Sequence, residues 1–131
     1  MVDDFRKAFI DEASELLSDL EISLLDLERR PNDSSLISKV FRALHTIKGS
    51  SGMFGYPNIS EFTHNVETVF HHVRIGEIQI TKEIIDLTLL ARDHIYVMLG
   101  NQENNHDHKV TVEKEILLAI QRIIPERNSK I

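Results

Sequence analysis

The sequence lacks cysteine and tryptophan, has only five glycines and three prolines, and contains no long apolar run. A membrane span needs roughly 20 apolar residues, so none is expected. The absence of cysteine excludes disulfides and thiolate metal sites. No block of lysine or arginine is present and the formal net charge is −6, so the sequence lacks the basic patch typical of nucleic-acid-binding proteins. The first residues, Met1-Val2-Asp3-Asp4, are acidic where a signal peptide would be basic, and we therefore expect a cytoplasmic protein.

The chain does carry long stretches of helical periodicity. Apolar residues make up 41% and charged residues 27% of the sequence, which is typical of one globular domain. Apolar side chains recur at steps of three and four, and no strand-like alternation is sustained. We expect an all-α fold, an antiparallel four-helix bundle over about residues 3–100 with a short fifth helix at about 111–124. The domain would span residues 1–125, with a frayed tail at 126–131, and a monomer is the default expectation.

The expected helix ends follow from capping residues and helix breakers. Asp3 or Asp4 is expected to cap the first helix, and Pro31 to end it. The second helix starts in the turn at 32–35 and fades through 49–52, and residues 53–59 are interpreted as a loop. The remaining signals are Ser60, Thr81 and Thr111 as starts of the third, fourth and fifth helices, and Gly76, Gly100 and Pro125 as stops of the same three helices.

One histidine lies at an unusual place on the second helix. With Leu44 at the centre of the apolar stripe, His45 sits about 100° away, on the flank of the core face. Gly49 and Gly52 fall on the same side, and Lys48 lies one turn beyond the histidine. Each surface glycine in a helix costs about 0.5–1 kcal/mol relative to alanine. Their missing side chains would let the backbone of a partner protein approach the imidazole of His45.

The third helix offers a polar stripe that could meet this flank: His64, Glu67, His71 and Arg74. Packed antiparallel helices bring their flanking stripes side by side, so His45 could face His64 or Glu67. A carboxylate that holds the Nδ1–H of an imidazole keeps its Nε2 lone pair outward and more nucleophilic, and Glu67 would play that role. Lys48 would supply a positive charge for phosphate oxygens.

The sequence shows no Gly-rich nucleotide loop and no acidic cluster placed to hold Mg²⁺. We therefore expect that the domain binds no cofactor, that ATP and Mg²⁺ belong to partner domains, and that the chain by itself is not an enzyme.

The run from His45 to Gly55, His-Thr-Ile-Lys-Gly-Ser-Ser-Gly-Met-Phe-Gly, resembles the phosphoacceptor motif of histidine phosphotransfer domains. It is similar in particular to the domains of chemotaxis histidine kinases of the CheA type. The segment at 9–17 resembles the first helix of that family, and His64-Asn65-Val66-Glu67 resembles its third. The likeness covers about residues 3–124. Ser50 and Ser51 depart from the commonest form, which has glycine and alanine there.

The resemblance implies a stoichiometric phosphocarrier in two-component signalling. It implies His45 as phosphoacceptor, Glu67 as its hydrogen-bond partner, Lys48 near the phosphoryl group and His64 as a nearby second histidine. It also implies two kinds of partner, a CheA-type kinase catalytic domain that supplies the phosphoryl group and response-regulator receiver domains that accept it on an aspartate.

Two other interpretations stay open from the residues. One is a docking adaptor with the same fold that is never phosphorylated. The other is a bundle that binds a metal through His45, His64 and Glu67, although no Glu-x-x-His pair of the usual kind is present. The remaining histidines are expected to have no role: His71, His72 and His94 as surface or boundary residues, and His106 and His108 as weak metal ligands at most.

Overall fold

A computed structural model describes residues 2–100 and 106–125; for residues 2, 3 and 106–108 it describes the backbone alone. Five α-helices make up this part of the chain: α1 (Val2–Arg29), α2 (Ser34–Met53), α3 (Pro57–Arg74), α4 (Lys82–Leu99) and α5 (His106–Ile123). No strand is formed within these two ranges, so the expected all-α class is confirmed.

The apolar stripes of α1 to α4 meet in one core. Helices α1 and α4 run antiparallel: the Arg92 guanidinium in α4 donates to the Leu17 carbonyl of α1 at 2.8 Å. At the other end of the same pair, Lys82 at the start of α4 lies 3.8 Å from Glu28 near the end of α1. The largest fully buried side chains are Phe62, Phe70, Leu17, Leu20, Leu24, Leu27, Leu44, Ile47, Ile85 and Ile95.

Several helix ends follow the expected local chemistry. Asp33 caps α2 by accepting a hydrogen bond from the Leu36 amide at 3.1 Å, and Thr81 caps α4 by accepting one from the Ile84 amide at 3.2 Å. Gly76, just past α3, has a φ of +86°, a conformation that glycine adopts without steric cost. The expected cap at Asp3 or Asp4 is wrong, because α1 already begins at Val2.

The connection between α2 and α3 is shorter than expected. α2 continues through both glycines to Met53, and α3 begins at Pro57 rather than at Ser60. Proline fits the first helical turn, since its fixed φ suits the helix and its missing N–H has no partner there. The expected cap at Ser60 is therefore wrong: its hydroxyl donates to the Lys48 carbonyl of α2 at 2.9 Å. This bond joins the two helices one turn away from His45.

The fifth helix is longer than expected. It starts at His106, five residues before Thr111, and its 18 residues equal the length of α3 and α4. Ile116 and Ile120 are buried, so α5 packs on the bundle as a full element. The expected frayed tail at 126–131 lies outside the described residues. No helix in the described ranges has the length and apolar character that a membrane crossing requires.

Candidate functional site

His45 lies in the middle of α2 with its side chain 63% exposed. Its neighbour Leu44 and the next core residue, Ile47, are fully buried, so the flank position expected from the helical wheel is confirmed. The Nδ1 atom of His45 lies 2.5 Å from the Oε2 atom of Glu67 in α3. The imidazole thus has one nitrogen engaged by a carboxylate while most of the ring faces solvent.

Glu67 is the buried member of this pair, with a side chain only 7% exposed. From the polar stripe of α3 we expected Glu67 on the flank of the bundle, but the Glu67 carboxylate lies between α3 and α2. Its second oxygen, Oε1, accepts a hydrogen bond from the Lys48 ammonium at 2.9 Å. Burial alone would raise the pKa of Glu67, but the hydrogen bonds from His45 and Lys48, with the charge of Lys48, outweigh it and lower the pKa. Glu67 is therefore ionised at neutral pH.

This geometry defines the tautomer of His45. A carboxylate only accepts hydrogen bonds, so the Nδ1 atom that faces Glu67 must carry the proton. In the neutral ring the lone pair then belongs to Nε2. The site presents a nucleophilic nitrogen on an exposed surface, and a negative charge is fixed behind the ring to stabilise positive charge on it.

Lys48 was expected to supply a positive charge for phosphate oxygens, but in the structure it binds Glu67. Its side chain is 27% exposed, and its ammonium is bound to Glu67. The positive charge of Lys48 therefore compensates the buried carboxylate in the unphosphorylated site. A fair part of the Lys48 side chain remains exposed.

His64 is exposed, and within the part of the chain that the structure describes its imidazole has no hydrogen bond or ion pair with His45, Lys48 or Glu67. Its backbone carbonyl accepts a hydrogen bond from the Thr68 hydroxyl at 2.9 Å. The structure thus brings Glu67 into contact with His45 and leaves His64 outside the hydrogen-bonded set.

The two glycines have different surroundings. A methyl group added at Gly49 would meet nothing within 4 Å, so this glycine leaves open space on the surface that carries His45. A methyl group at Gly52 would lie 3.2 Å from the Ser60 hydroxyl oxygen. Gly52 therefore also serves the close approach of α3 to α2, which the expectation of partner access alone did not include.

An aromatic contact of His45 with Phe41 was not predicted from the sequence, and Arg74 was placed only in a polar stripe of the third helix. The ring of Phe41, one turn before His45, stacks on the imidazole with centroids 6.0 Å apart. The Arg74 guanidinium of α3 lies 4.2 Å from the centroid of Phe41. The spacing of four residues on one helix was the available signal for the stack.

Two of the other histidines are buried, contrary to the expected surface or boundary location. His72 Nδ1 lies 2.6 Å from Glu77 Oε1, and His94 Nε2 lies 2.9 Å from Glu113 Oε1, which ties α4 to α5. His71 is exposed, as expected. The side chains of His106 and His108 lie outside the described residues.

A metal centre gains no support from this geometry. Among the side chains that the structure describes, at residues 4–100 and 109–125, no group of three or more His, Asp or Glu is arranged to hold a metal ion. His45 and Glu67 do meet, but as a hydrogen-bonded pair that also includes the cation Lys48.

Comparison with known proteins identifies the class of this domain. The family model described as the Hpt domain matches residues 4–121. The chain therefore belongs to the Hpt family, and it is a histidine phosphotransfer domain.

The matched relatives are chemotaxis kinases, as the motif around His45 predicts. The chain is 35% identical over 125 residues to the chemotaxis protein CheA of Salmonella typhimurium, covering 95% of this chain and 19% of that protein. It is 43% identical over 92 residues to CheA of Borreliella burgdorferi, covering 70% of this chain and 11% of the relative. The chain thus spans about a fifth or less of the length of these relatives.

Solved domains share the fold. The CheA phosphotransferase domain from Thermotoga maritima superposes with a TM-score of 0.72 at 36% identity, covering 75% of this chain and 93% of that one. The phosphorylated P1 domain of CheA3 from R. sphaeroides, solved in complex with CheY6, gives a TM-score of 0.78 at 24% identity, covering 93% and 99%. The resemblance to CheA phosphotransfer domains is confirmed.

Proposed function

We propose that His45 is the phosphoacceptor of this domain and that it accepts the phosphoryl group on Nε2. The observation that carries the proposal is the exposed imidazole whose Nδ1 atom is held by the ionised, buried carboxylate of Glu67. That arrangement leaves one nucleophilic nitrogen, on a side chain that is mostly exposed. No other described histidine combines this exposure with a carboxylate contact, since the imidazoles of His72 and His94 are buried.

The donor is a CheA-type kinase catalytic domain with ATP and Mg²⁺ bound to it. The Nε2 lone pair attacks the γ-phosphorus, the Nε2–P bond forms, and the P–O bond to ADP breaks. The ring then keeps its Nδ1 proton and gains positive charge, which the carboxylate of Glu67 stabilises. We further propose that Lys48, released from Glu67, binds the new phosphoryl oxygens.

The acceptor is an aspartate of a response-regulator receiver domain. Attack of its carboxylate on phosphorus breaks the P–N bond and returns the lone pair to Nε2, so the domain carries a phosphoryl group without net change. The complex of a phosphorylated P1 domain with CheY6, described above, supports this partner class. The domain needs no cofactor of its own and shows no turnover with ATP alone. We place it in the cytoplasm, and a monomer stays a prediction.

The test uses the 131-residue chain, a CheA kinase core without its own phosphotransfer domain, Mg²⁺ and labelled ATP, followed by a purified receiver domain. We expect label on the chain only when the kinase core is present, and loss of that label to the receiver. If the kinase core labels a CheA phosphotransfer domain in parallel but not this chain, the proposal is contradicted and the docking adaptor is favoured.

A further inference from the structure

An exposed histidine needs more than one contact to hold its ring. The bond to Glu67 fixes one edge of the His45 imidazole, at Nδ1. Rotation about that contact would still swing Nε2, the atom proposed to react, away from an approaching phosphorus. In-line attack depends on the direction of the lone pair, and small misplacements of reacting atoms are costly in rate. A second contact that restrains the plane of the ring would remove this freedom.

Phe41 provides that contact. Its ring and the His45 imidazole are nearly parallel, with an interplanar angle of 14° and centroids 6.0 Å apart, within the range of offset-stacked aromatic pairs. Phe41 is only half-buried, whereas the adjacent core residue Val40 is fully buried. If Phe41 contributed to the core alone, its ring would be expected to be fully buried. Instead, a ring face lies beside the exposed imidazole.

Phe41 is itself held from the third helix. The Arg74 guanidinium lies 4.2 Å from the centroid of the Phe41 ring, and the His71 ring is 6.5 Å from it at a tilt of 45°. Within the described residues, Arg74 has no carboxylate partner. The cation therefore interacts with the aromatic face without competition from an ion pair.

We propose that Phe41, supported by Arg74, is a positioning residue that sets the plane of the His45 imidazole and so aims Nε2 for phosphoryl transfer. The inference rests on the proposed function of His45. Glu67 selects which nitrogen is nucleophilic, and Phe41 selects the direction in which that nitrogen points.

The first measurement needs no kinase. In NMR spectra of the 131-residue chain, the ring current of Phe41 shifts the His45 ring protons. Phe41→Leu keeps an apolar side chain of similar size and should move these resonances toward those of an unstacked histidine, while the Nδ1–H tautomer set by Glu67 persists. Phe41→Tyr keeps the ring and should leave them in place. Unchanged His45 resonances in Phe41→Leu would overturn the stack.

The second measurement separates aiming from docking. With a CheA kinase core and the chain as varied substrate, Phe41→Leu should lower kcat about two- to tenfold, as expected for loss of one aromatic pair, with KM unchanged. Phe41→Tyr should restore the wild-type kcat. A raised KM with unchanged kcat would show that Phe41 touches the kinase instead, and would overturn the proposal.

Arg74→Gln is a second test that remains usable if Phe41→Leu does not fold, because Arg74 is exposed and its loss leaves the core intact. It should shift the same His45 resonances and lower kcat about twofold. Wild-type resonances and kcat in Arg74→Gln would contradict its part in the platform. The proposed function can fail while the stacking of Phe41 on His45 holds. In that case the wild-type chain is not labelled at His45, but the His45 ring protons still show the ring-current shift.

Discussion

Replacing Glu67 by glutamine removes one charge and keeps the size of the side chain. The amide can still accept one hydrogen bond from the Nδ1–H of His45, but it no longer offers an anion to the ring or to Lys48. Phosphorylation should therefore slow, because positive charge grows on the imidazole as the Nε2–P bond forms and the substituted site stabilises it less well. Helix content should be retained.

The size of this effect follows from the two contacts of the carboxylate, 2.5 Å to His45 Nδ1 and 2.9 Å to Lys48 Nζ. A hydrogen bond to a charged group contributes about 1–1.5 kcal/mol more than one between neutral groups. That difference corresponds to roughly five- to tenfold in rate. The Lys48 ammonium, no longer bound to a carboxylate, becomes available to phosphoryl oxygens, which works in the opposite direction and keeps the slowing at or below tenfold.

The assay is the initial rate of labelling by a CheA kinase core at saturating chain, with ¹⁵N NMR of the His45 ring to read its tautomer. Glu61→Gln, at an exposed position of the same helix, is the matched control and should label at the wild-type rate. The Nδ1–H tautomer should persist in Glu67→Gln, because the amide oxygen still accepts that hydrogen bond. If Glu67→Gln labels at the wild-type rate, the charge of the carboxylate does not activate the ring, and this reasoning is refuted.

Three further outcomes are expected. Lys48→Met should slow labelling about fivefold by loss of one partly exposed cation, while Lys39→Met, exposed on the same helix, should not; equal rates in both would remove Lys48 from the site. Gly49→Gln should preserve the circular dichroism spectrum, since helix propensity rises, yet slow transfer to a receiver domain more than Gly49→Ala does; equal transfer rates would show that no partner backbone passes there. Because the pKa of Glu67 is lowered in the folded chain, the stabilisation from its ionised form is present above the unfolded pKa of about 4.3 and is lost as pH falls through the folded value. The excess thermal stability of wild type over Glu67→Gln should therefore be complete at pH 7 and decline as the pH falls below the unfolded value of about 4.3. An excess that stays constant on further acidification would contradict this origin.

The sequence predicted helices and caps well where they depend on residues close together in the chain. The recurrence of apolar side chains at steps of three and four and the cap at Thr81 depend on residues within a turn or two of one another, and both are found. The start of α3 was misplaced because two start signals, Pro57 and Ser60, lie within one turn, and the serine hydroxyl has a competing acceptor on α2. That acceptor, the Lys48 carbonyl, is visible only once the helices are packed.

The site was predictable to the extent that it follows helical spacing. His45 on the flank of α2 and the possibility of Glu67 opposite it both came from the wheel and from antiparallel packing. The burial of Glu67 and its second bond to Lys48 required the depth of α3 against α2, which periodicity does not give. The contact of Arg74 with Phe41 also joins two helices, so periodicity within one helix does not predict it. Whether Glu67 or His64 meets His45 depends on the register of α3 against α2.

The central claim, that Nε2 of His45 carries the phosphoryl group, is tested most directly by mapping the label. Phosphorylate wild type and His45→Gln with the same kinase core, check that the label is acid-labile and base-stable, and assign the phosphorylated ring nitrogen by ¹H–³¹P NMR. The account predicts one phosphoryl group, on Nε2 of His45, and no label on His45→Gln. Full labelling of His45→Gln, or phosphorus bonded to Nδ1 in wild type, would contradict it.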